Sequence, residues 1–197
     1  MLGHWVRRAG DRIFRHTNTR LTYAGVGSKW AYALALVSAA AGGLAFAQGS
    51  LWAGLALLVL HGFFDYLDGG LRRARGEHGP RPRWLGMDAH AVVDKVSEVM
   101  LCAGIAGGRW TGWPLAMGAA GSSIVLTLVG GWANRWLGVD PQRALFDRSD
   151  RLFVLLASGA FGAFDVALVL VCVMNGVVLL QRAIYILRAF RTRNRAA

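Results

Sequence analysis

Five side chains suited to metal or acid–base chemistry lie in two short stretches of this chain. Asp65 and Asp68 are three residues apart, and His90, Asp94 and Glu98 follow one another at four-residue intervals. On helices, these spacings place the members of each group on one face. Carboxylates suit Mg²⁺ or a similar divalent cation, which neutralises a diphosphate and assists its displacement. A further carboxylate at the rim takes the proton of an attacking hydroxyl. The pattern predicts metal-dependent chemistry on phosphate.

The surrounding sequence is that of a membrane protein. The 197 residues are 55% hydrophobic and their mean hydropathy is +0.39. Because a carboxylate inside a bilayer costs about 3 kcal/mol on insertion scales, acidic residues in such a sequence indicate a function. The apolar stretches predict an all-α integral membrane protein with six transmembrane helices. The first four are expected at about 30–48, from 51 through the two aspartates, at about 89–107 and at about 113–132. The last two lie between 151 and 187 and are divided near 162–165. The fifth helix is expected to extend back into the polar residues 143–150.

The N-terminal segment predicts a different kind of element. Residues 1–20 carry apolar side chains at helical intervals with arginines between them, which is typical of an amphipathic helix in the membrane interface. A disordered basic tail is the alternative interpretation. Residues 21–197 are then expected to form one six-helix domain.

The distribution of basic residues predicts the orientation in the membrane. The net charge is +11, and the basic residues cluster before the first span, after the second, between the fourth and fifth, and at the C-terminus. The three connections on the opposite side contain a single basic residue, Arg109. The positive-inside rule therefore places both termini and the acidic stretches on the cytoplasmic side of the cell membrane. A charge that flanks membrane spans in this way argues against nucleic-acid binding.

The acidic stretches resemble the signature of the CDP-alcohol phosphotransferase family. That signature reads Asp-x-x-Asp-Gly-x-x-Ala-Arg, then, after about eight residues, Gly-x-x-x-Asp-x-x-x-Asp. The six spans, the interfacial helix and the length also resemble that family. The resemblance implies a membrane transferase that moves a phosphatidyl or similar group from a CDP-linked donor to a hydroxyl and releases CMP. The positions that match are Asp65, Asp68, Gly69, Arg73, Gly86 and Asp94.

The resemblance also implies the role of each matching residue. The residues expected to bind Mg²⁺ or Mn²⁺ are Asp65, Asp68, Asp94 and His90, which occupies the position of the third aspartate of the signature. Asp94 is expected to act as the general base. The residues expected to line the cytidine nucleotide are Asp68, Gly69, Arg73 and Gly86.

Three departures from the signature affect these expectations. Arg72 replaces the alanine, and twelve residues instead of about eight separate Arg73 from Gly86. His90 replaces the third aspartate, which lowers the negative charge of the site by one and suits Mn²⁺ or Zn²⁺ better than Mg²⁺. Three interpretations of His90 are open: a ligand in a retuned site, a residue that supports the ligands or acts as an acid–base partner in a one-metal site, or a bystander in an inactive one. Asp88 could replace the missing ligand only if the helix starts after it.

A second cluster, residues 146–152, resembles an arginine-containing run found in bacterial lipid-synthesising members of the family. Arg148 and Arg151 are three apart and could present guanidinium groups to a phosphorylated acceptor. The alternative is a positive-inside anchor with salt bridges to Asp147 and Asp150.

The favoured function has CDP-diacylglycerol as the donor and a polyol or polyol phosphate as the acceptor, with a phosphate such as inositol phosphate or glycerol phosphate preferred. One alternative is a headgroup transferase that uses a water-soluble CDP-alcohol and a lipid acceptor. Another is a non-catalytic protein that binds a CDP-lipid, a cation or a partner. His61 and Asn175 are interpreted as packing residues. Small-residue patches at 39–43, 118–122 and 158–163 allow close helix contact within the chain or in a homodimer, and contact within the chain is favoured.

Overall fold

The computed structural model describes residue 20 and residues 27–74, 83–84, 87–137, 145–146 and 148–196. Within these ranges the side chains of 28, 72–74, 83–84, 87–90, 136–137, 148 and 192–196 are not described. Apart from Arg20, the segment predicted as an interfacial helix lies outside the described residues.

Six helices make up nearly all of the described chain. They are α1 (Ser28–Ala47), α2 (Leu51–Ala74), α3 (Ala89–Gly107), α4 (Trp113–Leu137), α5 (Arg148–Gly159) and α6 (Phe164–Ala196). Two short strands, β1 (Arg83–Trp84) and β2 (Met87–Asp88), pair antiparallel just before α3. The helical fold predicted from the apolar stretches is confirmed, and α5 begins at Arg148, inside the polar segment where its start was expected. The last helix continues past the predicted end at residue 187.

Four of the six helices are long and apolar enough to cross a membrane, namely α1, α2, α4 and α6. The other two fall short for different reasons. Helix α3 carries Asp94, Lys95 and Glu98 in its first half, and α5 has only 12 residues. The described structure therefore supports a membrane protein with four apolar spans, and the count of six remains a prediction.

The six helices form a closed ring. Helix α1 packs against both α2 and α3, α3 against α4, α4 against α6, α6 against α5, and α5 against α2. Gly62 lies near Leu152 and Gly159 lies near Leu55, so α2 and α5 run antiparallel. Helices α1 and α3 run parallel, since Gly42 lies near Leu101 and Gly43 near Met100, while the end of α1 at Ala47 lies near Gly107. The end of α2 and the starts of α3 and α5 therefore meet at one end of the ring, which we call the polar end.

The opposite end, the closed end, is packed by aromatic rings. The Phe164 ring stands edge-on to Phe46 with 5.3 Å between centroids, and the Trp110 ring lies 5.9 Å from Phe164. The Trp110 indole donates a hydrogen bond of 3.1 Å to the Phe46 carbonyl. Nearby, the Thr111 hydroxyl donates to the Asp165 carboxylate. Three inter-helix connections are tied together here.

Glycines let two helices approach closely next to this aromatic cluster. A Cβ on Gly104 would collide with the backbone of Gly43, and one on Gly43 would collide with the Met100 carbonyl. Small residues of this kind allow backbone-to-backbone packing of membrane helices. The turn from α1 to α2 also needs a glycine, because Gly49 has a φ of 78°.

Candidate active site

One face of α2 carries three ionisable side chains at the polar end. Asp65 is half-buried, while Asp68 and, one turn before Asp65, His61 are each 1% exposed. The His61 Nδ1–H donates a hydrogen bond of 2.9 Å to the Ala35 carbonyl of α1, because a carbonyl can only accept. This contact agrees with the interpretation of His61 as a packing residue. It also fixes the side of α2 that carries the aspartates relative to α1.

The matching face of α3 carries Asp94, Lys95 and Glu98, all partly buried. The Lys95 Nζ atom donates to Glu98 Oε2 at 2.7 Å. Because α2 and α3 both pack on α1, and make little contact with each other in the described chain, their acidic faces lie on either side of the ring interior. The two acidic helices expected to face each other therefore make few direct contacts in the described chain.

A cavity of about 50 Å³ lies inside the helix ring, next to these acidic faces. Its polar lining is His61, Glu98, Ser123 and Arg151, and its apolar lining comes from α3, α4, α5 and α6. A cavity of this volume holds a few water molecules when polar groups line it. The two ionisable residues that α2 and α3 contribute to the lining, His61 and Glu98, each lie one helical turn from an aspartate of the candidate site.

Arg151 points into the ring and joins three helices. Its Nη1 donates to Asn175 Oδ1 of α6 at 2.9 Å, and its Nη2 lies 3.7 Å from Glu98 Oε1 of α3. The Asn175 Nδ2 atom in turn donates to Ser122 and Ser123 of α4 at 2.9 and 3.2 Å. We call Lys95, Glu98, Arg151 and Asn175 the Glu98–Arg151 network. It disfavours the interpretation of Arg151 as a lipid-facing anchor, because these contacts are inside the protein.

Sequence reasoning identified most members of this network but not their connection. Glu98 was visible as the next residue in the stripe of α3, and Asn175 as a polar residue in an apolar helix. The partner of each could not be read from the sequence, because helical spacing indicates a face and not the neighbour it meets. Ser122 and Ser123 stood out in the sequence only as small residues, so their hydrogen bonds to Asn175 could not be predicted.

Several predicted site residues fall outside the described side chains. The backbones of Arg73, His90 and Arg148 lie in α2, α3 and α5, and Gly86 is not described at all. Gly69 is a half-buried helical residue of α2, next to Asp68. Helix α3 begins at Ala89, directly after Asp88. The condition under which Asp88 could serve as a ligand is thus met by the backbone.

The predicted metal site can be compared with the described donors. Among the described side chains, no three His, Cys, Asp or Glu groups lie close enough together to hold a metal ion. The chemistry of the donors nevertheless fits, since Asp65, Asp68 and Asp94 supply the oxygen ligands that Mg²⁺ and Mn²⁺ prefer. His90, the fourth predicted ligand, has a backbone position one turn before Asp94 on α3.

Known proteins provide an independent comparison. No protein-family model matches the chain. Over 154 residues it is 29% identical to an archaetidylinositol phosphate synthase of Methanothermobacter thermautotrophicus. This alignment covers 75% of this chain and 76% of the relative. The fold is similar to that of Mycobacterium tuberculosis phosphatidylinositol phosphate synthase with CDP-DAG bound, with a TM-score of 0.71, 23% identity, and 89% and 94% of the two chains covered.

A second structure of the same mycobacterial enzyme, in complex with manganese and citrate, gives a TM-score of 0.69 at 23% identity, covering 86% of this chain and 87% of that one. At this level of identity, the structural matches establish the fold. The mycobacterial enzyme is a member of the CDP-alcohol phosphotransferase family. The resemblance predicted from the acidic stretches is therefore confirmed: this chain is a homologue of an archaetidylinositol phosphate synthase and has the fold of a CDP-alcohol phosphotransferase.

Proposed function

We propose that this protein is a membrane transferase that moves a phosphatidyl group from a CDP-linked lipid to a polyol phosphate and releases CMP. The observation that carries the proposal is the aspartate pattern at Asp65, Asp68 and Asp94, in a chain homologous to an archaetidylinositol phosphate synthase. The names of the relatives favour inositol phosphate as the acceptor. CDP-diacylglycerol is the preferred donor, because it is bound in the mycobacterial structure.

Different residues of the polar end would bind the cation, the nucleotide and the acceptor. Asp65, Asp68, His90 and Asp94 would hold a divalent cation, and that cation, when bound, offsets the charge of the donor diphosphate. Gly69, Arg73 and Gly86, with Asp68, would line the cytidine nucleotide. Arg148 and Arg151 would bind the phosphate of the acceptor through charge-assisted hydrogen bonds.

Asp94 would act as the general base. It takes the proton of the acceptor hydroxyl, and the hydroxyl oxygen forms a bond to the lipid-side phosphorus of the donor. The bond between that phosphorus and the bridging oxygen breaks, and CMP leaves with the electron pair. The position of Asp94 on α3, one turn from the cavity residue Glu98, supports this role.

The proposed placement in the membrane follows the charge pattern. Six spans, with residues 1–20 on the membrane interface and residues 21–197 as the enzyme domain, would put both termini and the polar end in the cytoplasm. Labelling of single cysteines introduced near Arg109 and at the C-terminus, from either side of intact cells, tests the orientation. Homodimer formation remains a prediction from the small-residue patches.

The function is tested by measuring CMP release from purified protein. CDP-diacylglycerol is supplied with inositol phosphate, glycerol phosphate or unphosphorylated inositol, each with Mg²⁺ or Mn²⁺. Release that requires a polyol phosphate supports the proposal and identifies the acceptor. Release only from a soluble CDP-alcohol with diacylglycerol would support the headgroup transferase instead. No release from any pair, with activity appearing in His90→Asp, would mean that the site no longer performs the reaction.

A further inference from the structure

Glu98 is the acidic residue of α3 for which neither the signature nor the proposed reaction accounts. It is only 17% exposed, and both of its carboxylate oxygens face cations. Oε2 accepts from Lys95 on the same helix at 2.7 Å, and Oε1 faces Arg151 of α5. Lys95 alone is sufficient to neutralise Glu98, so neutralisation does not explain why Arg151 turns inward to meet it.

The contacts of Arg151 fix the orientation of its guanidinium group. Asn175 holds Nη1 on one side and Glu98 faces Nη2 on the other. Asn175 cannot turn its oxygen away, because its nitrogen is committed to the two serine hydroxyls of α4. The Arg151 Nε atom is buried and has no hydrogen-bond partner among the described residues. The group is thus oriented while retaining donor capacity toward the cavity that it lines.

The two contacts differ in strength. The distance to Asn175 is that of a full hydrogen bond, whereas 3.7 Å to Glu98 exceeds the 2.7–2.9 Å typical of a charge-assisted bond. A closely bonded carboxylate would compete with an incoming phosphate for the guanidinium. A looser one attracts and orients the guanidinium without occupying its donors.

We propose that Glu98 is a positioning residue that holds Arg151 in the orientation in which its guanidinium binds the phosphate of the acceptor. The inference rests on the proposed function, in which Arg151 contacts that phosphate. Glu98 itself does not touch the substrate. Its effect therefore passes through Arg151 and is absent for the donor, whose proposed nucleotide-binding residues lie on α2 and in the segment before α3.

A charge-neutral variant separates orientation from net charge. Glu98→Gln alone would add one net positive charge and raise the affinity for any anion, whereas Lys95→Met/Glu98→Gln removes one charge of each sign. We expect this double variant to bind inositol phosphate about tenfold more weakly in calorimetry, because a displaced guanidinium loses its fit to the phosphate. The affinity for CDP-diacylglycerol should stay within about twofold of wild type, as for a group outside that site.

The decisive comparison is made in an Arg151→Met background. If Glu98 acts through Arg151, the charge-neutral change weakens inositol phosphate binding no further there. Equal weakening in both backgrounds, or weakening of donor and acceptor alike, would overturn the proposal. Glu98→Asp, which keeps every charge and shortens the reach by one methylene, should weaken binding about threefold and tests the idea if the double variant does not fold. Asp165→Asn, a carboxylate change at the closed end, is the matched control.

Phosphate binding and CMP release test the two proposals separately. If wild type binds neither inositol phosphate, glycerol phosphate nor inorganic phosphate, the role of Glu98 is overturned whatever the result of the CMP assay. If phosphate binding follows the expected pattern but no donor yields CMP, the positioning role stands and the transferase proposal fails.

Discussion

The two ends of the helix ring are built on opposite principles. At the closed end, glycines bring α1 and α3 into backbone contact, and three aromatic rings fill the space between connections. Toward the polar end, α2 and α3 make few direct contacts, a cavity opens inside the ring, and charged side chains join the helices. The difference indicates that one end maintains the fold and that the other is kept open for a ligand. Substitutions at the two ends should therefore have different consequences.

Asp68→Asn should distinguish the two ends most clearly, by lowering activity without lowering stability. The change removes a charge from a side chain that is 1% exposed while keeping its size. If Asp68 helps to hold the cation and diphosphate, CMP release should fall about a hundredfold to a thousandfold, as when one charge-stabilising group is lost from an active site. The unfolding midpoint in detergent should not decrease. A large drop in stability with little loss of turnover would assign Asp68 to the fold instead.

Gly104→Ala should have the reverse effect. Its new Cβ would meet the backbone of Gly43, which cannot rotate away, so α1 and α3 must separate. Overpacking of this kind costs about 2–3 kcal/mol. The measurement is the free energy of unfolding in mixed micelles. Gly118→Ala is the matched control, since nothing lies within 4 Å of that position, and it should be neutral or stabilising by up to about 1 kcal/mol. Similar losses in both variants would contradict the close approach.

Two variants, Asn175→Leu and Thr111→Val, compare the polar contact that supports Arg151 with a polar contact at the closed end. Each removes a buried side chain that hydrogen-bonds between distant parts of the fold, and each should cost about 1 kcal/mol of stability. Only Asn175→Leu should also weaken the binding of a phosphorylated acceptor, because Arg151 loses one of its two supports. Equal acceptor affinity in the two variants would show that Arg151 does not depend on Asn175.

His90→Asp tests the metal preference of the polar end. An added carboxylate restores one negative charge and favours Mg²⁺ over softer cations. The ratio of turnover with Mg²⁺ to turnover with Mn²⁺ should rise about tenfold, equivalent to about 1.4 kcal/mol. An unchanged ratio would place His90 outside the metal's ligands.

The sequence predicted the helices and the faces that carry the acids, but not how the helices meet. Asp65 and Asp68 lie on one face of α2, and Glu98 lies one turn from Asp94, as their spacing requires. The inward direction of Arg151 was not predictable, since an arginine at the start of a span satisfies the positive-inside pattern whether it faces lipid or protein. Likewise, the small residues at 39–43 indicated close packing, while Gly104 as the partner of Gly43 emerges only from the fold.

The most direct test of chemistry at the polar end compares Asp94→Asn with Asp165→Asn in CMP release from CDP-diacylglycerol and inositol phosphate. Each change removes one carboxylate, from the polar end and from the closed end. Loss of a general base should lower turnover about 10²- to 10⁴-fold in Asp94→Asn, with Asp165→Asn close to wild type. Equal turnover in the two variants would contradict the assignment of the chemistry to the polar end.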